Sequence, residues 1–263
     1  PAEWTLTGGD TSGNTMPTGR IGAYQNTDSS KHLFGGAGQN NEYSASFWIN
    51  STATPSPSYA GHMFFNTVVI DNSNTTASVK LGVMQYTNNK LYTNIAGIAY
   101  DANTYGPTLT HNVWRHIVVV FSNSSQTGYY HEKIYIDGVG YGGTVSLLKN
   151  RVPYLYDMTG YTNYGFAVGS SYHNNATHST YGNVSPNSTP IKMDEFSTYT
   201  KALSASEVLG IYNNGTPTDL TGHDGIEHWF RMGDSNSDTG TSIACHFHPS
   251  TTITSTQDYT QNH

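Results

Sequence analysis

Charge is scarce in this 263-residue chain: Asp, Glu, Lys and Arg together make up 11% of it, against about 25% in an ordinary soluble protein. The 11 basic residues form no cluster, and the net charge is −7. Binding to nucleic acid needs a basic footprint that displaces counterions from phosphates, so no nucleic-acid partner is expected. The same lack argues against attachment to an anionic membrane surface. Long apolar runs are missing too. None approaches the ~20 residues of a membrane-spanning helix, so membrane insertion is not expected. Cysteine is nearly absent, with Cys245 the single example. No internal disulfide can form, so stability must come from a packed core, which speaks against a disulfide-stapled extracellular animal module. No apolar leader segment follows Pro1; a processed secreted chain and a cytosolic product that lost its initiator Met both remain open.

Asn, Ser, Thr, Gly and Tyr fill the space that charge leaves, with 27 Gly and 20 Tyr. Seven Asn-x-Ser/Thr triplets occur, at Asn50, Asn74, Asn123, Asn175, Asn183, Asn187 and Asn214; a chain of this composition produces such triplets by chance. The length permits two domains, yet all-β sandwiches often run to about 250 residues as one. Strand patterns dominate. Tyr43, Ala45, Phe47 and Ile49 alternate with Ser44, Ser46 and Trp48, the period of a strand. His62 to Ile70, Val79 to Tyr86, Gly165 to Gly169 and Ile191 to Tyr199 read as further strands. Trp114 to Phe121 is almost continuously apolar, as expected of a central strand covered on both faces. Lys133 to Ile136 runs into Asp137-Gly138, a strong signal for a two-residue hairpin turn.

One helix is written clearly. Ser204 and Glu207 stand at capping-box spacing, with Leu203 and Val208 in hydrophobic-staple positions around them. Gly215 is placed to end the helix in a left-handed conformation, and Pro217 to prevent its resumption. Glu227 to Met232 predicts one more strand, after which the chain is rich in Ser, Thr, Asp and His. The pattern predicts an all-β, two-sheet antiparallel sandwich over residues 1–215, with one short helix near the C-terminal end. Residues 216–263 read as an extension packed on the same domain or on a partner.

Five segments together resemble one family. Tyr43–Ile49 is similar to the first core strand of laminin-G-like domains, and Asn112–Phe121 to their Trp-x-His strand. Lys133–Val139 resembles their Asp-Gly hairpin, Phe166–Gly169 their strand ending in Gly, and Met193–Gly215 their closing strand and helix. The resemblance implies a concanavalin-A-like jelly roll. Trp229-Phe-Arg-Met-Gly-Asp234 resembles a string in tailed-phage structural proteins that carry such domains. It implies a non-enzymatic protein of the virion surface, decorating a capsid or forming part of a fibre, whose partners are other virion proteins or copies of itself, with host cell-surface glycan as a further target. The alternative, from a different class, is an extracellular, calcium-dependent carbohydrate-binding module or lectin. The family also implies one structural calcium ion, with Asp194 near it; Asp194 capping a turn at the sheet edge is an equal alternative.

Enzymatic signatures are missing. Glycosidases of this fold present paired carboxylates at alternate positions of one strand, but the nearest pair here, Asp194-Glu195, is adjacent and expected on opposite faces. His131-Glu132 lacks the second His of a zinc-protease motif. Cys245, His246 and His248 offer zinc donors without a fourth ligand, and read as polar tail. Sugar binding needs aromatic faces and neutral hydrogen-bonding groups. Tyr156 and Tyr161 in one stretch, and Tyr172, His173, Asn174 and Tyr181 in the next, supply both; packing on a neighbouring subunit is the competing use of the same Tyr-rich loops.

Overall fold

The computed structural model describes residues 4–6, 21–26, 42–52, 54, 62–71, 77–85, 88–95, 98–100, 106–123, 129–148, 161–168, 171–173, 183–185 and 191–230. They form two antiparallel sheets and a small hairpin. The first sheet runs in the order β1 (Trp4–Leu6), β14 (Ile191–Tyr199), β3 (Tyr43–Ser51), β8 (Trp114–Asn123), β9 (Tyr129–Ile136) and β10 (Val139–Leu148). A seventh strand, β15 (Ile226–Phe230), shares the outer edge of β14 with β1: Trp4 to Leu6 pair with Met193 to Ile191, and Trp229 pairs with Ser197. The second sheet is ordered β2 (Ile21–Asn26), β11 (Tyr161–Val168), β4 (His62–Asp71), β5 (Ala77–Gln85), β6 (Leu91–Ile95) and β7 (Ile98–Tyr100). β12 (Ser171–His173) and β13 (Asn183–Ser185) make the hairpin.

The sheets meet face to face through aromatic side chains. Phe47 of β3 lies with its ring centroid 5.9, 5.7 and 5.9 Å from those of Phe64, Phe65 and Phe196. Adjacent Phe64 and Phe65 both reach it because β4 carries an extra residue there: Met63 pairs with Met84 and Phe65 with Val83. Such a bulge interrupts the alternation that would send neighbours to opposite faces.

The outer face of the first sheet is covered as well. All nine residues of β3 are buried, as are Ile117 to Phe121 of β8. Beneath the helix α1 (Ala205–Tyr212), Val118, Val120, Tyr135 and Tyr199 pack against Leu203, Val208, Ile211, Leu220 and Trp229. The serines of β3 make this layer possible. Their side chains are small enough to admit the covering chain and polar enough to bind it: Ser44 Oγ donates to the Lys201 carbonyl and accepts from the Leu203 amide, each at 2.9 Å.

Helix α1 begins as its sequence predicts. Ser204 caps it, accepting from the Glu207 amide, while the Glu207 carboxylate accepts from the Ser204 amide at 2.8 Å. Lys201 and the Ser204 backbone and hydroxyl hold the Glu207 carboxyl down to about 2. The helix ends earlier than predicted. Asn213, not Gly215, is the left-handed cap (φ 44°, ψ 50°), a conformation that the short Asn side chain tolerates, and a short 3-10 turn then carries the chain to Gly215. Among the described residues the last strand covers Ile226–Phe230, beginning one residue before the predicted Glu227 and pairing with β14 from Tyr199 to Phe196; Arg231 and Met232 lie outside the described residues.

A candidate site at one rim of the sandwich

The strand registers sort the loops into two rims. At one, β3 ends at Ser51, β8 begins at Trp114, and β5 turns into β6. The segment before β8 is tied down there: the Asn112 amide donates to the Ser51 carbonyl at 2.8 Å, and the Leu109 amide to the Asn89 carbonyl at 2.7 Å. A neutral polar network joins the three connections. Gln85 donates to Asn89 Oδ1 at 2.9 Å, Asn89 donates to Thr54 Oγ1 at 2.9 Å, and His111 Nε2 lies 3.3 Å from both Thr54 Oγ1 and Asn89 Oδ1. Asn89 and Asn112 both hold positive φ, 60° and 58°. The Asp137-Gly138 turn belongs to the same rim. Both its residues have positive φ, 52° and 77°, the type I′ geometry that matches strand twist. Asp137 accepts from the His116 amide at 2.9 Å and from Arg115 Nη1 at 2.5 Å.

The described residues of the two Tyr-rich stretches, Tyr161 on the one hand and Tyr172 and His173 on the other, lie at different rims. Tyr161 opens β11 opposite Asp71, at the rim away from this network, whereas Val168 closes it opposite Phe65. The separation along β11 is about 23 Å at the usual strand rise. β12 follows Val168 after two residues, so Tyr172 and His173 leave from the Gln85 end, and β12 packs on β4 and β5. Tyr156, Asn174 and Tyr181 lie outside the described residues, as do Cys245, His246 and His248.

Asp194 and Glu195 are both buried. The expectation that they sit on opposite faces assumed a regular pleat, but three steps of β14 from Asp194 to Ser197 face two of β3 from Trp48 to Ser46. Glu195 takes a positive φ of 52° inside this bulge. Its carboxylate accepts from Trp229 Nε1 of β15 at 2.5 Å, while Asp194 Oδ1 accepts from the Glu195 amide at 3.0 Å. Both carboxylates therefore hold an irregular strand in place. Calcium takes six to eight oxygens. Asp194 brings one carboxylate, already engaged, and among the described residues no group of three or more His, Cys, Asp or Glu side chains could hold a metal ion. Side chains alone do not complete a calcium site there; most of its ligands would be backbone carbonyls.

One Ser–His pair looks chemically suggestive and is sealed. Ser46 Oγ lies 2.8 Å from His116 Nε2, yet both residues are buried. The imidazole sits among the rings of Trp48 and Tyr212, at centroid distances of 5.1 and 6.0 Å. Asp137 meets the backbone amide of His116, not its ring.

Sequence reading missed the rim network, because Gln85, Thr54, Asn89 and His111 belong to four separated segments of no distinctive motif. Of its members only Asn89, in the adjacent pair Asn88-Asn89, carries a local turn signal.

A two-layer antiparallel sandwich with a helix laid on one outer face is the architecture of lectin-like domains. The laminin-G-type model described as the concanavalin A-like lectin/glucanases superfamily matches residues 21–209, and the chain belongs to that superfamily. No curated protein matches its sequence. Among solved structures it is similar to a Trypanosoma rangeli sialidase mutant displaying trans-sialidase activity (10% identity, TM-score 0.44, 69% of this chain and 24% of that one). It is also similar to a Bacteroides ovatus protein described as carbohydrate binding (15%, 0.43, 82% and 50%) and to the heptameric SAP-like pentraxin of Limulus polyphemus (11%, 0.37, 66% and 72%). The chain spans about a quarter of the sialidase's length, and these likenesses are too distant to carry an activity.

Proposed function

We propose that the protein is a non-catalytic glycan-binding sandwich displayed on the surface of a tailed-phage particle. The observation that carries the non-catalytic part is the use of Asp194 and Glu195. The acidic pair that would be the natural start of a glycosidase centre is buried, with Asp194 bonded to the bulge backbone and Glu195 to Trp229. Membership of the lectin/glucanase superfamily supports the glycan-binding part. So does the neutral hydrogen-bonding network of Thr54, Asn89 and His111, at the rim from which the strand bearing Tyr172 and His173 departs. The particle setting rests on the Trp229–Asp234 string and the charge-poor surface.

A glycan array probed with the purified chain, with and without calcium, tests the reading. Selective binding that His111→Ala or Tyr172→Ala weakens at least tenfold is the expected result. Hydrolysis of a bound glycan would overturn it. Binding that a chelator abolishes would bring in the structural calcium ion near Asp194. Co-purification with phage particles separates the virion setting from the alternative of an extracellular lectin.

A further inference from the structure

Two titratable side chains lie sealed in different layers of the fold, and they are of opposite charge type. Glu132 lies on β9 opposite Phe121, in the row that faces the second sheet. It is buried, and neither carboxylate oxygen has a hydrogen-bond partner. Among the described residues it lies beside Phe121 of β8 and faces Thr93 of β6, both buried and uncharged. Among the described residues the Thr93 hydroxyl is the polar group that acts on it, short of hydrogen-bond geometry. Its neighbours His131 and Lys133 pair with Ser122 and Val120, on the opposite face of the sheet.

His116 occupies that opposite face, under α1. Its Nδ1 is buried and has no partner. Trp48 and Ser46 of β3 and Tyr212 of α1 surround the ring. Asp137, paired with Arg115, is the charged group nearby.

Burial disfavours the charged form of either group, which means a proton kept on the carboxyl and a proton kept off the imidazole. We infer that Glu132 and His116 form a compensated pair that flattens the fold's stability across mildly acidic pH, each cancelling the pH dependence that the other imposes. The signs can be worked through. Burial pushes the Glu132 carboxyl up to about 7 from 4.5, so its contribution to stability is whole below pH 4.5 and is lost as pH rises to about 7. Burial pulls the His116 imidazole down to about 4 from 6.5, against a smaller opposing pull from Asp137. Its contribution is whole above pH 6.5 and is lost as pH falls to about 4. Between about pH 4.5 and 6.5 the folded chain holds a proton on Glu132 and the unfolded chain holds one on the imidazole. Net proton uptake on unfolding is then near zero, and so is the slope of stability with pH.

The test is thermal unfolding of the full chain and of Glu132→Gln, His116→Gln and the double variant from pH 4 to 8. Relative to the parent, Glu132→Gln gains on the order of 5 °C in Tm as pH rises from 4.5 to 7.5. His116→Gln gains a similar amount, relative to the parent, as pH falls from 7 to 4.5. The double variant tracks the parent near pH 5.5. A difference from the parent that is independent of pH for either single variant overturns the pairing. Because a variant can fail to fold, NMR titration of the parent gives an independent reading. A Glu132 carboxyl still protonated at pH 6, with a neutral His116 ring at pH 5, supports the inference; ordinary titration of either group overturns it.

Discussion

The first sheet is covered on two sides by two differently made cores. Toward the second sheet the contacts are rings and branched aliphatics centred on Phe47, and the fit is achieved by bulges that turn Phe64, Phe65 and Phe196 onto one residue. Beneath α1 the layer mixes Val and Leu with Ser, Trp, Tyr and His, and many contacts there are hydrogen bonds between segments far apart in the chain. The difference follows from what each layer joins. Two sheets meet through pleated faces that apolar side chains mostly fill, with Glu132 and Thr93 as buried polar exceptions. The segment around α1 is an irregular connection whose backbone groups need partners when buried, and Ser44 of β3 provides them for Lys201 and Leu203.

The inner layer should therefore break hardest. Phe47→Ala removes a fully buried ring with three aromatic neighbours and should cost about 3–5 kcal/mol, measured by denaturant unfolding. The outer layer should respond most to lost polar partners. Trp229→Phe keeps the bulk but leaves Glu195 without its indole donor, for a loss of roughly 1.5–3 kcal/mol. Gly138→Ala forces a side chain onto a φ of 77° and places its Cβ 2.8 Å from Leu209 Cδ1. A loss of about 1–2 kcal/mol is expected, with hydrogen exchange rising in α1 before the sheets. Ser204→Ala removes the helix cap at about 1 kcal/mol, and the same exchange experiment should show it confined to the first turn of α1. Equal losses from Phe47→Ala and Ser204→Ala would erase the distinction between the layers.

Much of this was legible along the chain. β3, β8, β14 and the Asp137-Gly138 turn follow from alternation, a continuous apolar run and turn chemistry, all local signals. The helix start is equally local, since the Ser204–Glu207 box closes within four residues. Its end was less so, because Asn213 competes with Gly215 for the left-handed position and packing of Tyr212 on Trp48 and His116 fixes where the last turn stops. The candidate site was legible only in fragments. Tyr161 and Tyr172 look like neighbours on paper, and the length of β11 sets them at different rims.

The sequence by itself determined the class of fold: period-two apolar patterning, turn residues between short strands and one capped helix admit little besides an antiparallel sandwich. Tertiary structure alone decided what the polar residues do. A Glu in a strand looks the same whether it faces water or a facing sheet, and only the register of β9 against β8, with β6 lying opposite, leaves Glu132 sealed. The adjacent acids at 194 and 195 likewise depend on a bulge that exists because β3, β14 and β15 must fit together. Periodicity is a property of neighbouring residues, whereas burial and partnership arise between strands far apart in the chain.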